Sequence, residues 1–234
     1  MTELIRNYGV YFLIGQFPHG PLGGLALTML LGVAAVLLAL PLGVLLALAR
    51  ISRRRLLHWP ATAVVYVVRG TPALMVIFWA YFFLPALIGH KMGQVTTMLA
   101  ALVIFNGTYF AEVVRAGIQG VGRGQMEAAR ALGLSHAKTL RWIVFPQALR
   151  NMLPSLVNQF VATLKETSLA SIIGLQEVSF IASQVNSQVV VHPVAIYGAL
   201  ALTFFALCFG LSRLAHVLEK RVAVQRLELP QADG

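Results

Sequence analysis

A run of 27 residues without a charged side chain, residues 23–49, constrains this chain more than any other feature of its sequence. As a helix rising 1.5 Å per residue it would be about 40 Å long, more than the roughly 30 Å hydrocarbon core of a bilayer, so we expect a tilted membrane span. The run is too long for a cleaved signal sequence. It is followed by Arg50 and Arg53 rather than by the small residues of a cleavage site.

The composition of the whole chain also indicates a membrane protein. Of the 234 residues, 58% are hydrophobic and 11% are charged, whereas about a quarter of the residues are charged in soluble domains. Disorder is excluded, because it requires few hydrophobic and many charged residues. The net charge of +10 lies in separate blocks between apolar runs. Nucleic-acid binding would need a clustered basic face, so we expect no nucleic-acid partner.

Four further apolar segments predict an all-α membrane protein with five transmembrane helices. The second segment is interrupted by Arg69-Gly70-Thr71-Pro72, and Pro72 disfavours helix at the residue before it. Its first 13 residues, 56–68, would reach only about 20 Å, too short to cross alone. We therefore predict one kinked span there, with Arg69 facing protein or water. The four segments are 56–88, 95–114, 151–173 and 194–212.

The distribution of lysine and arginine predicts the orientation. Fourteen of the 18 lie within 50–55, 115–150 and 213–226, and cytoplasmic loops carry the excess of basic residues. We therefore predict an external N-terminal segment at 1–22, a transmembrane domain at 23–221 and a cytoplasmic tail at 222–234. The longest cytoplasmic loop is 115–150.

This loop contains the pattern of two short helices. The first is predicted over 125–132, and Gly133 suits the left-handed residue that ends many helices. Ser135 can cap a second, amphipathic helix, which Pro146 is expected to end.

The first of these helices has a charged edge and small residues. Glu127 lies four residues after Arg123 and three before Arg130, so it can pair with either. Ala128 and Ala129 leave a low surface that could sit in a groove on another protein. A plain surface helix that links two spans is the alternative, since exposed ion pairs contribute at most about 1 kcal/mol.

The residues of this loop closely resemble the EAA loop of ABC importer permeases. The family pattern is Glu-Ala-Ala, three residues, Gly, nine residues and Ile-x-Leu-Pro. Here it is Glu127-Ala128-Ala129, three residues, Gly133, nine residues and Ile143-Val144-Phe145-Pro146, with Phe145 in place of Leu.

Other segments resemble the polar amino-acid importers within this family, and the resemblance covers about 22–222. Gly122 stands where this subgroup usually has Pro. The similar segments are RGTP at 69–72, YFAEVVRAGIQ at 109–119, RGQ at 123–125 and KETSL at 165–169.

The resemblance implies the type I ABC importer permease fold in a bacterial inner membrane. Two permease subunits, identical or different, would line a pathway, and an external solute-binding protein would deliver an amino acid. Each permease would insert its EAA helix into one of two cytoplasmic ATPase subunits. This chain contains no Gly-x-x-x-x-Gly-Lys-Ser/Thr loop, so ATP would be bound by the partner, and we expect no enzymatic activity and no cofactor. The residues implied in ATPase coupling are Arg123, Glu127, Ala128, Ala129 and Gly133.

Charged residues within predicted spans are candidate substrate contacts, because they are costly in lipid. The family's substrate site lies near 165–169, which makes Lys165, Glu166 and Thr167 candidates, although paired structural charges are the alternative. Arg69 has two possible roles: it could hold the kink by bonding freed carbonyl groups, or face the pathway. Glu112 and Arg115, three residues apart, are expected to form a structural pair.

Two other functional classes compete with an importer subunit. One is a secondary transporter or channel that works alone, which five spans without an inverted repeat fit poorly. The other is a membrane scaffold. The six histidines are scattered without metal-ligand spacing, so we expect no metal site.

Overall fold

The structure, a computed structural model, describes residues 2–90, 92–189 and 193–227, with side chains for 8–90, 92–122, 124–189 and 193–217. Apart from two isolated β-bridges, all regular structure in these ranges is helical, as predicted. Three non-α turns occur: π-helical Trp79–Phe83 and Leu140–Val144, and 3₁₀-helical Thr167–Ile173. The α-helices are α1 Thr2–Ile14, α2 Gly24–Ile51, α3 Arg55–Arg69, α4 Ala73–Phe78, α5 Leu84–Ile88, α6 Gln94–Gln119, α7 Arg123–Ala131, α8 His136–Thr139, α9 Phe145–Glu166, α10 Val178–Val189 and α11 Pro193–Leu227.

Helices α2 and α6 run parallel and form the centre of the bundle. Near their first residues, Leu27 and Leu31 of α2 share a core with Met98 and Leu102 of α6. Near their last residues, Ala47 shares a second core with α6, α3 and α9. We call the end of the bundle where α2 and α6 finish, beside residues 120–144, the loop end, and the opposite one the far end.

Three helices are long and apolar enough to cross a membrane: Gly24–Ile51, Gln94–Gln119 and Pro193–Val217. They match the predicted spans 23–49, 95–114 and 194–212. A fourth span is possible if α3 and Ala73–Ile88 count as one. Helix α9 lies in the bundle between the loop end and the far end, but it is not among the described helices that meet this criterion. The total of five spans therefore stays a prediction.

The predicted break at 69–72 is present, but it bends the chain by 106° rather than kinking it. His58 Nδ1 lies 2.6 Å from the Arg50 carbonyl oxygen, and the Arg50 guanidinium carbon lies 5.7 Å from the centre of the Tyr66 ring. Both ends of α3 thus lie near one residue at the end of α2, so α3 lies across the loop end. The return to the far end is made by 73–88, where Ile77 belongs to the same core as Leu27.

The predicted helix at 125–132 is confirmed as Arg123–Ala131, and two of its neighbouring signals are confirmed as well. Gly133 has a φ of +77°, in the left-handed region. The side chain of Ser135 accepts a hydrogen bond from the Lys138 N–H at 3.5 Å.

The expectation that Pro146 ends the second helix is wrong. The chain stays helical from His136 to Glu166, and Pro146 lies in the first turn of α9, directly after the π-helical turn. That turn pairs the Phe145 N–H with the Leu140 carbonyl, five residues back. The wider turn accommodates a proline ring that would otherwise meet the carbonyl four residues before it.

Candidate functional site

One face of α9 is polar along most of the helix. Asn151, Ser155, Asn158, Ala162 and Lys165 recur at intervals of three and four residues, which places them on one side of the helix. Ser155, Asn158 and Lys165 are exposed, and the other two are half-buried. Polar side chains facing lipid are costly, so this surface, called here the polar face of α9, suits water or a polar partner. It also explains why α9 is less apolar than the other long helices.

The three adjacent candidates of the KETSL segment point in different directions. Lys165 is exposed on the polar face, whereas Glu166 is half-buried and its Oε2 accepts a hydrogen bond from Asn106 Nδ2 at 2.7 Å. Thr167 is buried, and its hydroxyl donates to the Leu164 carbonyl at 2.7 Å. The structure therefore places the ammonium at the surface, the carboxylate in a half-buried position against α6 and the threonine hydroxyl in the interior.

Asn106, which binds the candidate residue Glu166, was not predicted from the sequence. It is fully buried in α6, where its Oδ1 accepts from Thr163 Oγ1 at 2.7 Å and from Gln159 Nε2 at 2.8 Å. Together with the bond to Glu166, it forms a polar network between α6 and α9. The available signal was a side-chain amide in the middle of a predicted span, since polar residues in membranes are usually functional.

A second polar centre, the charged cluster, lies at the loop end and consists of Arg50, Arg69, Glu112 and Arg115. Arg50 and Arg69 both reach Glu112 Oε1, the latter at 3.3 Å. Arg115 binds Glu112 Oε2 through Nη2 at 2.7 Å and Nε at 2.9 Å. The predicted pair of Glu112 and Arg115 is therefore confirmed, while the two arginines from α2 and α3 were not anticipated.

Arg69 faces a cavity rather than the backbone of the break. Its guanidinium carbon lies 4.9 Å from the centre of the Tyr109 ring, and it lines a cavity of about 440 Å³ between α6 and α9 together with Asn151 and Ser155. At the break, the side chain of Thr71 bonds a backbone carbonyl instead: its hydroxyl donates to the Val67 carbonyl at 2.8 Å.

The helix of the EAA motif, α7, lies at the surface of the loop end. Glu127 and Ala128 are exposed, whereas Ala129 is buried and its carbonyl accepts from the Leu134 N–H at 3.1 Å. The possible pair of Glu127 with Arg130 is not among the ion pairs of the described side chains.

The side chain of Arg123 lies outside the described part of the structure, so its predicted pairing stays a prediction. Beside α7, two large apolar side chains face outward: Leu132 is 81% exposed and Trp142 is 69% exposed.

Comparison with known proteins identifies the family to which this fold belongs. The family described as "Binding-protein-dependent transport system inner membrane component" matches residues 39–224. The probable glutamine ABC transporter permease protein GlnP of Bacillus subtilis (strain 168) is 36% identical over 200 residues, which cover 85% of this chain and 91% of GlnP. The inner membrane amino-acid ABC transporter permease protein YhdY of Escherichia coli (strain K12) is 36% identical over 227 residues. That match spans 92% of this chain but 59% of YhdY.

Solved structures agree with this assignment. A crystal structure of an amino acid ABC transporter with histidines matches with a TM-score of 0.79 and 34% identity, over 85% of this chain and 92% of that one. An inward-facing structure of the MetNI methionine ABC transporter matches with a TM-score of 0.63 and 20% identity, over 82% and 91% of the two chains, and supports the fold alone. The chain therefore belongs to the binding-protein-dependent transport system inner membrane components, the permease family of ABC transporters.

Proposed function

We propose that this chain is the permease subunit of an ATP-driven amino-acid importer in a bacterial inner membrane, where it forms half of the translocation pathway. The polar face of α9 carries the proposal, because it gives an otherwise apolar bundle one continuous surface suited to a hydrated path. Relatives named for glutamine, arginine, L-cystine and glutamate/aspartate transport support an amino acid as the substrate class.

A second permease, identical or different, would cover the polar face and leave the path between the two subunits. Lys165 is the residue on this face best suited to the carboxylate of an amino acid. The adjacent Glu166 is half-buried, held by its hydrogen bond from Asn106, and would receive the ammonium group. Thr167 would shape this site from within, since its own hydroxyl is bonded to the backbone. The fourth proposed substrate contact, Arg69 of α3, lies beside the loop end of this face, where it lines a cavity with Asn151 and Ser155.

The loop end would dock on one of two cytoplasmic ATPase subunits. In this proposal Glu127 and Ala128 contact a groove on the ATPase subunit. Ala129 and Gly133 stabilise the conformation of the loop. Arg123 would add a charge at the start of α7. The strong exposure of Leu132 and Trp142 supports docking here, since apolar side chains of this size gain most from burial in a partner. An external solute-binding protein would engage the far end.

The orientation in this proposal places the loop end and the C-terminus in the cytoplasm. The 14 basic residues within 50–55, 115–150 and 213–226 support it. A reporter fused after Gly234 should then be active only if it is of the cytoplasmic type. Activity of a periplasm-specific reporter at this position would contradict the orientation.

The proposed function is tested by co-purification and reconstitution. We expect a nucleotide-binding subunit to co-purify with the chain. In proteoliposomes, the complex should take up an amino acid only when ATP is supplied inside and the binding protein is supplied outside. Uptake by the chain alone, driven by an ion gradient, would support the stand-alone carrier instead. Absence of any ATPase partner together with absence of uptake would favour a scaffold.

A further inference from the structure

The charged cluster has more positive charge than its acidic partner can neutralise. Arg50, Arg69 and Arg115 all bind the single carboxylate of Glu112, which leaves a surplus of two positive charges. Arg50 is almost fully buried, with a side-chain exposure of 7%. A surplus of this kind is costly in a membrane protein unless a counter-charge or water reaches it.

The described part of the chain offers no second carboxylate for this surplus. Its described side chains include four acidic groups: Glu112, Glu127, Glu166 and Glu177. Glu127 is exposed on α7, Glu166 binds Asn106, and Glu177 is buried against Thr28 at the far end. A counter-charge for the cluster must therefore come from outside these residues.

The surplus charge faces a cavity that is open to a ligand. Of the three arginines, Arg69 alone lines the cavity of about 440 Å³, with a side-chain exposure of 39%, and the Glu112 carboxylate lines the cavity too. Ser155, an exposed residue of the polar face of α9, lines it from the other side. The wall between them includes Gly117, where an added Cβ would lie 3.1 Å from Met152 Cβ, so this glycine lets α6 and α9 approach each other closely. The cavity thus offers a cation and a hydroxyl donor to one small anion. Because Glu112 also lines the cavity, binding of the anion relies on the net positive charge of the cluster.

The position of the cavity relates it to the candidate substrate site. Ser155 and Lys165 lie on the same face of α9, ten residues and therefore about 15 Å apart along the helix axis. A ligand that leaves Lys165 toward the loop end would next meet Arg69. The polar face therefore connects two cationic positions with only polar or small side chains between them.

We propose that the cavity beside Arg69 is a second anion-binding site, which receives the carboxylate of the transported amino acid after it leaves Lys165 and before it is released at the loop end. The anion would bind the guanidinium of Arg69 and the hydroxyl of Ser155, and would balance the surplus charge of the cluster. This role rests on the proposed function. The same chemistry would also admit a free cellular anion, such as inorganic phosphate.

The first experiment measures binding of acetate to the purified nucleotide-free complex in nanodiscs, by saturation transfer to the acetate methyl group. The parent chain carries Lys165→Met, so that the other proposed carboxylate contact does not contribute. Arg69→Gln should weaken acetate binding about tenfold or more, as expected for a lost charge-assisted hydrogen bond. Arg213→Gln, an equal charge change at an exposed position of α11, should leave it unchanged. Glu112→Gln should strengthen it, because this variant increases the positive surplus. Acetamide, the neutral analogue, should not bind.

An anion site predicts opposite changes in acetate affinity for Arg69→Gln and Glu112→Gln, whereas a purely structural cluster does not. If Arg69→Gln and Glu112→Gln weaken acetate binding equally, or if neither differs from the Lys165→Met parent, the anion site is wrong. The same substitutions made in the wild-type chain test the role in transport in the proteoliposome assay: Arg69→Gln should lower the maximal uptake rate with little change in KM.

Three further outcomes separate the possible sources of the anion. If Arg69→Gln loses acetate binding but keeps the wild-type uptake rate, the release step is overturned and a site for a free anion is left. Displacement of acetate by phosphate would support that outcome. Acetate binding by the Lys165→Met parent, when the wild-type complex takes up no amino acid, would overturn the proposed function and leave the anion site supported. Normal uptake by wild type with no acetate binding by the Lys165→Met parent would overturn the anion site alone.

Discussion

Asn106 of α6 and Glu166 of α9 are joined by a 2.7 Å hydrogen bond from Nδ2 to Oε2 in the interior of the bundle. The same amide group donates to the Leu102 carbonyl at 3.1 Å and accepts from Thr163 and Gln159. One side chain therefore satisfies polar groups on two helices. Because lipid and apolar packing offer no substitute partners, the network should contribute strongly to how α6 and α9 fit together.

The first prediction concerns this network. Asn106→Leu should lower the thermal unfolding midpoint of the purified complex, because each buried group left without a partner costs about 1–3 kcal/mol. Asn158→Leu, an exposed change of the same kind on the polar face, should leave the midpoint within a few degrees of wild type. Equal midpoints for the two variants would show that the network does not stabilise the bundle.

The features that could be predicted from the sequence are the local ones. Three of the five apolar runs, the left-handed Gly133 and the Ser135 cap are confirmed by the structure, and each depends on a few adjacent residues. The contact of Asn106 with Glu166 joins residues 60 positions apart. Periodicity indicates which face a residue occupies, but not which helix will lie against that face.

The direction of α3 illustrates the same limit. The 13 residues of 56–68 are too short to cross a bilayer, and this suggested one kinked span. A short amphipathic helix can also lie across the end of a bundle. The contacts of Arg50 with His58 and Tyr66 decide between these, and they depend on tertiary packing.

The second prediction separates the two charges of the KETSL segment. Lys165→Met should permit normal assembly but impair uptake, because the exposed ammonium has no hydrogen bond among those of the described side chains. Glu166→Gln should also assemble, since its remaining carbonyl oxygen can still accept from Asn106, while uptake changes. Complex yield and basal ATPase activity are to be compared with uptake rate and affinity. Unchanged uptake by both variants would remove these residues from the substrate site, and failed assembly of both would make them structural.

The third prediction concerns the turn after α7. Gly133 has a φ of +77°, and the space around its missing Cβ is empty. Gly133→Val should therefore act through backbone strain of about 1–2 kcal/mol rather than through a clash. We expect normal insertion but reduced ATP-driven uptake. Gly133→Asn is the matched control, because asparagine tolerates the left-handed region better, and it should retain more uptake than the valine variant. Equal activity of both would exclude this turn from coupling.

The fourth prediction concerns the close approach of α2 and α6. A Cβ added at Gly43 would lie 2.5 Å from Phe110 Cβ and 3.0 Å from the Gly107 carbonyl oxygen, so the helices would have to separate. Gly43→Ala should lower the unfolding midpoint by several degrees, in keeping with an overpacking cost of about 1–3 kcal/mol. Gly198→Ala in α11, where nothing lies within 4 Å of an added Cβ, should not lower it. Equal effects would mean that the helices adjust without cost.

Glu177 lies at the far end, outside the candidate spans, and is fully buried just before α10. Its Oε1 accepts from the Phe180 N–H at 2.9 Å, and its Oε2 accepts from Thr28 Oγ1 at 3.4 Å. Burial raises the pKa of Glu177 to about 7, and hydrogen bonds from Ser179, Phe180 and Thr28 offset only part of this effect. The folded chain thus holds a proton that the unfolded chain would release near pH 4.5.

The fifth prediction follows from the sign of this shift. Because the folded chain binds the proton more tightly, the free energy of unfolding should be highest below pH 4.5, fall as the pH rises to about 7, and then level off. The total fall is about 3 kcal/mol. Glu177→Gln should match the unfolding midpoint of wild type at pH 5, exceed it at pH 8, and flatten the profile between them. Glu127→Gln, an exposed change on α7, should keep the wild-type profile. A buried, protonated Glu177 would be contradicted if the midpoint of the wild type rises between pH 5 and 8 and the midpoint of Glu177→Gln rises in the same way.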